Sequence, residues 1–78
     1  MTGEQLRELR VAARLSQSEM AARAGIVRER ICRAEGGLVQ LRDAEIEVIR
    51  AIVALELSEI QSAVLAALFR RKEIEIAV

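Results

Sequence analysis

The 78-residue sequence lacks histidine, proline, tryptophan and tyrosine, and it holds one cysteine and one phenylalanine. Without histidine, and with Cys32 as the only thiol, the usual nitrogen and sulfur ligands of a metal site are missing. The missing histidine and tyrosine, with no evident pair of converging carboxylates, leave few of the usual acid–base groups of enzymes. We therefore expect a protein that is not an enzyme and that uses no metal or other cofactor.

The sequence also lacks a long apolar run. A membrane-spanning helix needs roughly 18 or more consecutive apolar residues, and no run of that length occurs. Residues 1–15 intersperse charged and apolar positions, unlike the apolar centre of a signal peptide. A single thiol fits a reducing compartment. These observations predict a cytoplasmic protein that does not enter a membrane.

The chain is short but apolar. Its 78 residues make one domain, and 53% of them are hydrophobic. A domain of this size buries only about 60% of the surface of its unfolded chain, so its core is marginal without disulfides or metals. An apolar excess without such cross-links predicts that the chain associates with another chain.

Charge is balanced overall but unevenly distributed. Residues 1–35 hold seven arginines and five glutamates, a net charge of +2, and residues 36–78 carry a net charge of −2. Eleven of the twelve basic residues are arginine, whose forked guanidinium suits phosphate and guanine and suits carboxylates equally well. The basic excess is therefore small, and the composition fits nucleic-acid contacts and internal ion pairs alike.

Most of the chain is predicted to be helical. Three capping boxes mark helix starts, formed by Thr2 with Gln5, Ser16 with Glu19 and Ser58 with Gln61. Glycines at 25 and at 36–37 are positioned to end helices. The five predicted helices cover residues 3–14, 17–24, 28–35, 44–56 and 59–71.

Apolar residues recur at helical spacing and define a predicted core. On the first three helices and the turn between them they are Leu6, Leu9, Ala13, Met20, Ala21, Ala24, Ile26, Ile31 and Ala34. Helix four has apolar residues on two nearly opposite faces, and helix five repeats the pattern. A helix that is apolar on both sides is buried on both sides. The second face is covered either by another copy of the chain or by helix five folding back over helix four.

The last six residues change period. Residues 73–78 alternate between charged and apolar side chains, which is typical of a half-buried strand. A single strand has no ladder partner within this chain, but it could pair with its copy across a two-fold axis. The alternative is that helix five continues to the end.

Residues 16–35 are predicted to form a helix-turn-helix, two short helices joined by a tight turn at Gly25. In that arrangement the second helix lies in the major groove of DNA and the first crosses the backbone. The N–H groups at the start of the first helix can bind a phosphate, aided by Gln17 and Ser18.

The second helix of this pair has a polar outward face, made by Arg28, Glu29, Cys32 and Arg33 with Arg30 at its edge. An arginine can fork onto O6 and N7 of guanine, and a glutamate can accept from N4 of cytosine. The alternative is a solvated face with local arginine–glutamate pairs, each worth about 0.2–0.5 kcal/mol.

The run LRELRVAARLSQSEMAARAGIVRERICRAEGG resembles the lambda-repressor-like, or xenobiotic-response-element (XRE) type, helix-turn-helix regulators of bacteria and their phages. The resemblance covers about residues 3–56 and rests on some ten positions at fixed spacing, from Leu15-Ser16-Gln17 to Glu35-Gly36. It implies a five-helix domain that binds palindromic operators as a dimer.

The resemblance also implies roles for individual residues. The base-reading positions hold Arg28, Glu29 and Arg33, and the backbone-contacting positions are expected to be Gln17, Ser18, Arg30 and Arg42. Arg10 and Glu35 match a pair that forms a structural ion pair in this family, so neither is assigned to DNA.

Two positions depart from the family's pattern. Val27 stands where the recognition helix usually has a serine or threonine cap, which removes a contribution of about 1 kcal/mol. Val27 could instead pack on a thymine methyl group, so it joins the predicted base-reading residues. Ala34 is smaller than the usual large aliphatic residue.

The resulting hypothesis is a sequence-specific DNA-binding regulator, a repressor that binds its operator as a homodimer. Residues 1–57 would bind DNA, and residues 58–78 would extend the domain for dimerisation. The predicted dimer interface includes Val48, Ile52, Leu55, Leu65, Phe69, Ile74 and Ile76. Two alternatives stay open: an antitoxin-type autorepressor that also binds a toxin, and a helical protein-interaction module with no DNA role.

Overall fold

The protein is all-helical in a computed structural model that describes the backbone of residues 1–77 and the side chains of residues 1–70. The helices are α1 (Gly3–Ala12), α2 (Gln17–Ala24), α3 (Arg28–Glu35) and α4 (Asp43–Ala77). The first three helices pack with the start of α4 into a head, residues 1–56. The remainder of α4, residues 57–77, extends away from it and is called the projecting segment. The whole measures 57 × 19 × 18 Å.

The first two capping boxes are confirmed. The Thr2 hydroxyl accepts from the backbone N–H of Gln5 at 3.1 Å, and the Gln5 side chain accepts from the N–H of Thr2 at 2.9 Å. Ser16 and Glu19 make the same reciprocal pair, with both distances 3.0 Å. Each pair satisfies N–H groups that a first helical turn leaves free, and this is why α1 and α2 begin where the sequence predicts.

The core lies between the three short helices and one face of α4. Its buried side chains are Leu6, Ala13, Leu15, Met20, Ala21, Ile31, Ala34, Ile49, Ile52 and Val53, with Leu9, Ala24, Ile26, Val39 and Leu41 packed against them. Met20, Ile31 and Ile49 are fully buried and come from α2, α3 and α4. All the core residues predicted on the first three helices are confirmed, because their spacing follows the helical period.

The prediction of two separate C-terminal helices is wrong. Residues 43–77 form one helix, and Ser58, predicted to cap a fifth helix, lies inside it. No glycine or proline follows Gly37, so nothing in the sequence interrupts the ladder of hydrogen bonds. The predicted C-terminal strand is not found either, since residues 73–77 belong to α4, while residue 78 lies outside the described residues. Continuing a helix adds one hydrogen bond per residue, whereas a lone strand has no ladder partner.

Ile52 was expected in the dimer interface, but it lies in the core of the head. Its position on α4 is between the two apolar faces recognised in the sequence, on the side where Glu45 and Glu56 pair with arginines of α3 and α2. Of the other predicted interface residues, Val48, Leu55, Leu65 and Phe69 are exposed, and the side chains of Ile74 and Ile76 lie outside the described residues.

By length and composition, α4 has one stretch, within Asp43–Arg70, that could cross a bilayer, and its most apolar window of 18 residues has a mean hydropathy of 1.7. This finding concerns length and composition only. A span needs about 20 residues of helix. The first part of this stretch buries Ile49, Ile52 and Val53 against the head, and Glu56 is ion-paired with Arg23 of α2. Insertion of the whole stretch would therefore separate α4 from the head.

Gly3 allows α1 and α3 to approach closely. A Cβ atom at Gly3 would overlap the backbone oxygen of Ala34 and would lie 2.5 Å from the backbone oxygen of Glu35. The small side chain of Ala34 is itself buried at this contact. The first turn of α1 thus meets the last turn of α3, an arrangement that brings helix ends of opposite partial charge together.

We predict that Gly3→Ala lowers the free energy of unfolding by roughly 1–3 kcal/mol, because the added methyl group overlaps backbone that cannot move aside. Gly36→Ala is the control. Its φ is −77°, and the nearest atoms to a Cβ there are 3.6 and 3.7 Å away. Urea unfolding should give a change within about 0.5 kcal/mol for that variant. Equal effects of the two substitutions would contradict the close approach.

Candidate nucleic-acid interface

The connection between α2 and α3 is a three-residue turn, Gly25 to Val27. Gly25 has φ 68° and ψ 30°, the left-handed conformation that glycine adopts at least cost. The backbone N–H of Ile26 donates to the carbonyl of Ala21 at 3.0 Å and closes the end of α2. This turn has the length and the glycine of a helix-turn-helix, and it places α3 against α2.

The two sides of α3 differ sharply. Ile31 and Ala34 are buried against the core, whereas Arg28, Glu29, Cys32 and Arg33 are all exposed. The residues predicted to read bases therefore share one solvent-facing side of a helix that is fixed from behind. Eight residues of helix are about 12 Å long, close to the width of the major groove.

Val27 lies at the start of this exposed side. It occupies the N-cap position of α3 without any side-chain hydrogen bond, and 72% of its surface is exposed. The missing cap predicted from the sequence is confirmed. An aliphatic residue so exposed adds nothing to the core, so its side chain is free to contact another molecule.

An ion pair joins Arg10 of α1 to Glu35 at the end of α3, which confirms the pair implied by the resemblance. Nε and Nη2 of Arg10 donate to the two carboxylate oxygens of Glu35 at 2.7 and 3.0 Å, and Nη1 donates to the carbonyl of Leu15 at 3.0 Å. Both side chains are largely buried, and the hydrogen bonds to Glu35 raise the pKa of Arg10. Gln17 also donates to Glu35, at 3.4 Å. Gln17, expected at the DNA backbone, is thus partly engaged within the head.

A second ion pair joins Arg30 of α3 to Glu45 of α4. Nε and Nη2 of Arg30 donate to the carboxylate of Glu45 at 2.8 and 2.7 Å, and the backbone N–H of Arg42 donates to the same carboxylate at 2.8 Å. These bonds, first those from Arg30, lower the pKa of Glu45 to about 2. Arg30 was expected to contact the DNA backbone, but its guanidinium is turned towards α4 instead.

Sequence reasoning missed Glu45. Its only local signal is a carboxylate in the first turn of α4, three residues after Arg42, where an acidic side chain commonly accepts from an N-cap N–H. Its pairing with Arg30 spans fifteen residues of sequence and depends on how α3 crosses the start of α4.

The remaining arginines around α3 are different. Within residues 1–70, whose side chains are described, the ion pairs use Arg10, Arg23 and Arg30, and none involves Arg28, Arg33 or Arg42. Arg28 and Arg33 are five residues apart on one helix, about 7.5 Å along its axis, or roughly two base-pair steps. Because five residues also turn the helix by about 140°, the two exposed arginines stand at the two edges of the solvent-facing side of α3.

We predict that Glu45→Gln lowers stability by roughly 1 kcal/mol at pH 7, because a neutral amide cannot replace the paired carboxylate. Since the folded pKa of Glu45 is lowered to about 2 from an ordinary value of 4.5, its contribution is complete above pH 4.5. The contribution is lost as the pH falls towards 2, so the variant and the parent should converge there. Urea unfolding between pH 2 and 7 measures this, with Glu47→Gln on the exposed side of α4 as the control. A difference that stays constant with pH would refute the ion pair's role.

The arrangement around α3 is described by its own contacts, because no known protein was found to share it. Three features define it: the three-residue turn with left-handed Gly25, the buried side of α3 at Ile31 and Ala34, and the exposed Arg28 and Arg33. No protein-family model matches the chain, and no curated protein or solved structure is significantly similar to it.

Proposed function

We propose that the protein is a sequence-specific DNA-binding regulator of the lambda-repressor-like type that acts as a homodimeric repressor. One observation carries this proposal. Among the side chains that the structure describes, Arg28 and Arg33 stand exposed and without ion pairs on one side of α3. The other side of the same helix is held by core packing and two bidentate ion pairs. A helix fixed in this way can present donors without reorganising when it binds.

Base readout would come from the exposed side of α3 in the major groove. Arg28 and Arg33 offer paired N–H donors that match O6 and N7 of guanine, and Glu29 offers an acceptor for N4 of cytosine. Val27, at the start of the helix, can pack on a thymine methyl group. Glu29 would repel phosphate, so its presence among the arginines favours base edges over the backbone.

Backbone contacts would come from the start of α2 and from Arg42. The first turn of α2 directs free N–H groups outwards beside exposed Ser18, and Gln17 can exchange its long bond to Glu35 for a phosphate. Arg30 is assigned a supporting role because Glu45 holds its guanidinium. With few cations in contact, binding by one head would be weak and would fall as salt is added.

Weak binding by one head favours two heads acting together. The net charge of the chain is zero, so general attraction to DNA is small. Two heads on one palindromic site would add their contacts, with half-sites about one helical turn apart. The contact between the copies would be made by α4, on which the sequence predicts Val48, Leu55, Leu65 and Phe69 as contact residues. In the five-helix arrangement of that family, the single helix α4 would correspond to the fourth and fifth helices.

A second candidate is an antitoxin-type autorepressor, favoured by the large apolar residues that α4 leaves exposed. In this function the same surface would bind a toxin. Co-purification with the product of the neighbouring gene, with mass determination of the complex, would distinguish it from a simple homodimer. A protein-interaction module without DNA binding is the third candidate, and a non-enzymatic, cytoplasmic protein fits all three.

We predict that Arg33→Ala loses discrimination at the base it reads by about 1–3 kcal/mol, because one bidentate contact disappears. The measurement is selection of bound sequences from random DNA, followed by mobility-shift titration of the selected site and of single-base variants. Arg7→Ala is the matched control, since Arg7 is an exposed arginine on α1 away from the helix-turn-helix.

The two variants should separate clearly. Arg33→Ala should bind the selected site more weakly and tolerate changes at one base pair, and Arg7→Ala should bind like the parent. If Arg33→Ala keeps the parent's affinity and preference, the assignment of Arg33 is wrong. If no DNA is shifted at low salt, the proposed function is wrong.

A further inference from the structure

The projecting segment has an apolar side that nothing in the described chain covers. Leu57, Val64 and Leu68 lie along the middle of this side and are 41%, 52% and 58% exposed, with Ile60 and Leu65 beside them. The opposite side carries Glu59, Ser62, Ala66 and Arg70. An apolar stripe of this kind on a helix requires a partner.

The spacing of the stripe indicates a helix as that partner. Leu57, Gln61, Val64 and Leu68 are separated by four, three and four residues, the heptad spacing of paired helices. The face predicted from the sequence is less continuous, because Ser58 and Ser62 lie between Leu55 and Leu65 on that side of α4. We therefore place the contact between copies on the side of Leu57, Val64 and Leu68.

Charge decides the direction of the partner. Between Ile60 and Phe69 the segment has no charged residue. Beside the stripe, Glu56 precedes this stretch, and Arg71 and Lys72 follow it, with Glu73 and Glu75 after them. Two parallel copies would bring the basic ends together. Two antiparallel copies bring Arg71 and Lys72 of each copy beside Glu56 of the other, which is complementary. An interfacial membrane helix would instead carry basic residues along its polar side, where this segment has Glu59 and Ser62.

We propose that the projecting segment pairs antiparallel with the same segment of a second copy, with Leu57 against the partner's Leu68. In this register the two-fold axis passes between Gln61 and Val64, so the Leu57 contact occurs twice. Arg50 is seven residues before Leu57 and lies on the same side of α4 as the stripe. The groove between α1 and α4, lined by Gln5, Glu8, Leu9 and Arg50 among others, therefore receives the end of the partner's helix in this register.

The pairing also sets the separation of the heads. The head packs on α4 around Ile49 and Val53, whose midpoint is about 11.5 residues from the axis, so the two heads are about 34 Å apart along the pair. Around α4, Ile49 lies about 80° and Val53 about 40° from Leu57, both in the same sense, which puts both heads on one side of the pair. This separation equals about one turn of DNA. The match between the head separation and one turn of DNA rests on the proposed function, whereas the pairing of the two segments does not.

The first test compares Leu57→Lys with Leu55→Lys by sedimentation equilibrium. Both are leucines of one helix, two positions apart and on nearly opposite sides. The parent should have about twice the chain mass of 8.6 kDa. Leu57→Lys should raise the dimer dissociation constant at least tenfold, and Leu55→Lys should leave it unchanged. Leu68→Lys, far from the head, should repeat the loss with an unchanged helical circular dichroism spectrum. A monomeric parent, or a loss caused by Leu55→Lys alone, overturns the proposal.

The second test determines direction, in a Cys32→Ser background because Cys32 is exposed. Leu57→Cys and Leu68→Cys should form disulfide-linked dimers when mixed and oxidised, and neither should do so alone. Efficient cross-linking of each variant alone would show parallel pairing and refute the register. Mobility shifts keep the two proposals apart. A dimer as described that binds no DNA removes the function only, and a monomer that binds DNA removes the pairing only.

Discussion

The partly buried ion pair between Arg10 and Glu35 is the interaction on which the position of α3 depends. Arg10 belongs to α1, its guanidinium also binds the carbonyl of Leu15, and Glu35 receives Gln17 from the start of α2. The carboxylate of Glu35 therefore ties α3 to α1 and α2, and the guanidinium of Arg10 also ties α1 to the turn before α2. Removing one partner leaves the other charge without its partner in a partly desolvated site, which weakens the packing of α3 on α1. The end of α3 cannot tilt without breaking this set of bonds.

The arginines of the head divide into two groups with different surroundings. Arg10, Arg23 and Arg30 each bind a glutamate of another helix, and they hold the helices in place. Arg28 and Arg33, on the same helix as Arg30, face solvent. The composition alone fits internal ion pairs and nucleic-acid contacts alike. In the structure, some arginines are paired with glutamates and others are exposed to solvent. The proposed function depends on this division, because rigid support behind α3 lowers the cost of ordering the exposed side chains.

The length of α4 links the head to the proposed partner. Its first turns supply Ile49, Ile52 and Val53 to the core, and its later turns carry the exposed stripe of Leu57, Val64 and Leu68. Since no glycine or proline interrupts the helix, the geometry of the pair would pass directly to the heads. A flexible joint between two C-terminal helices would not define a distance between recognition helices, whereas one continuous helix does.

The sequence by itself determined the bounds of α2 and α3, the start of α1 and nearly all of the core contributed by these helices. Capping boxes, a left-handed glycine and the helical period act within a few residues, so they can be read locally. The same local reasoning misplaced a helix start at Ser58, because a cap signal does not end a helix that has no breaker. Only the tertiary structure decided that Arg30 binds Glu45, that Ile52 is buried and that the stripe of Leu57 is exposed. These outcomes depend on how α1, α2 and α3 cover α4, and residues far apart in the chain set that packing.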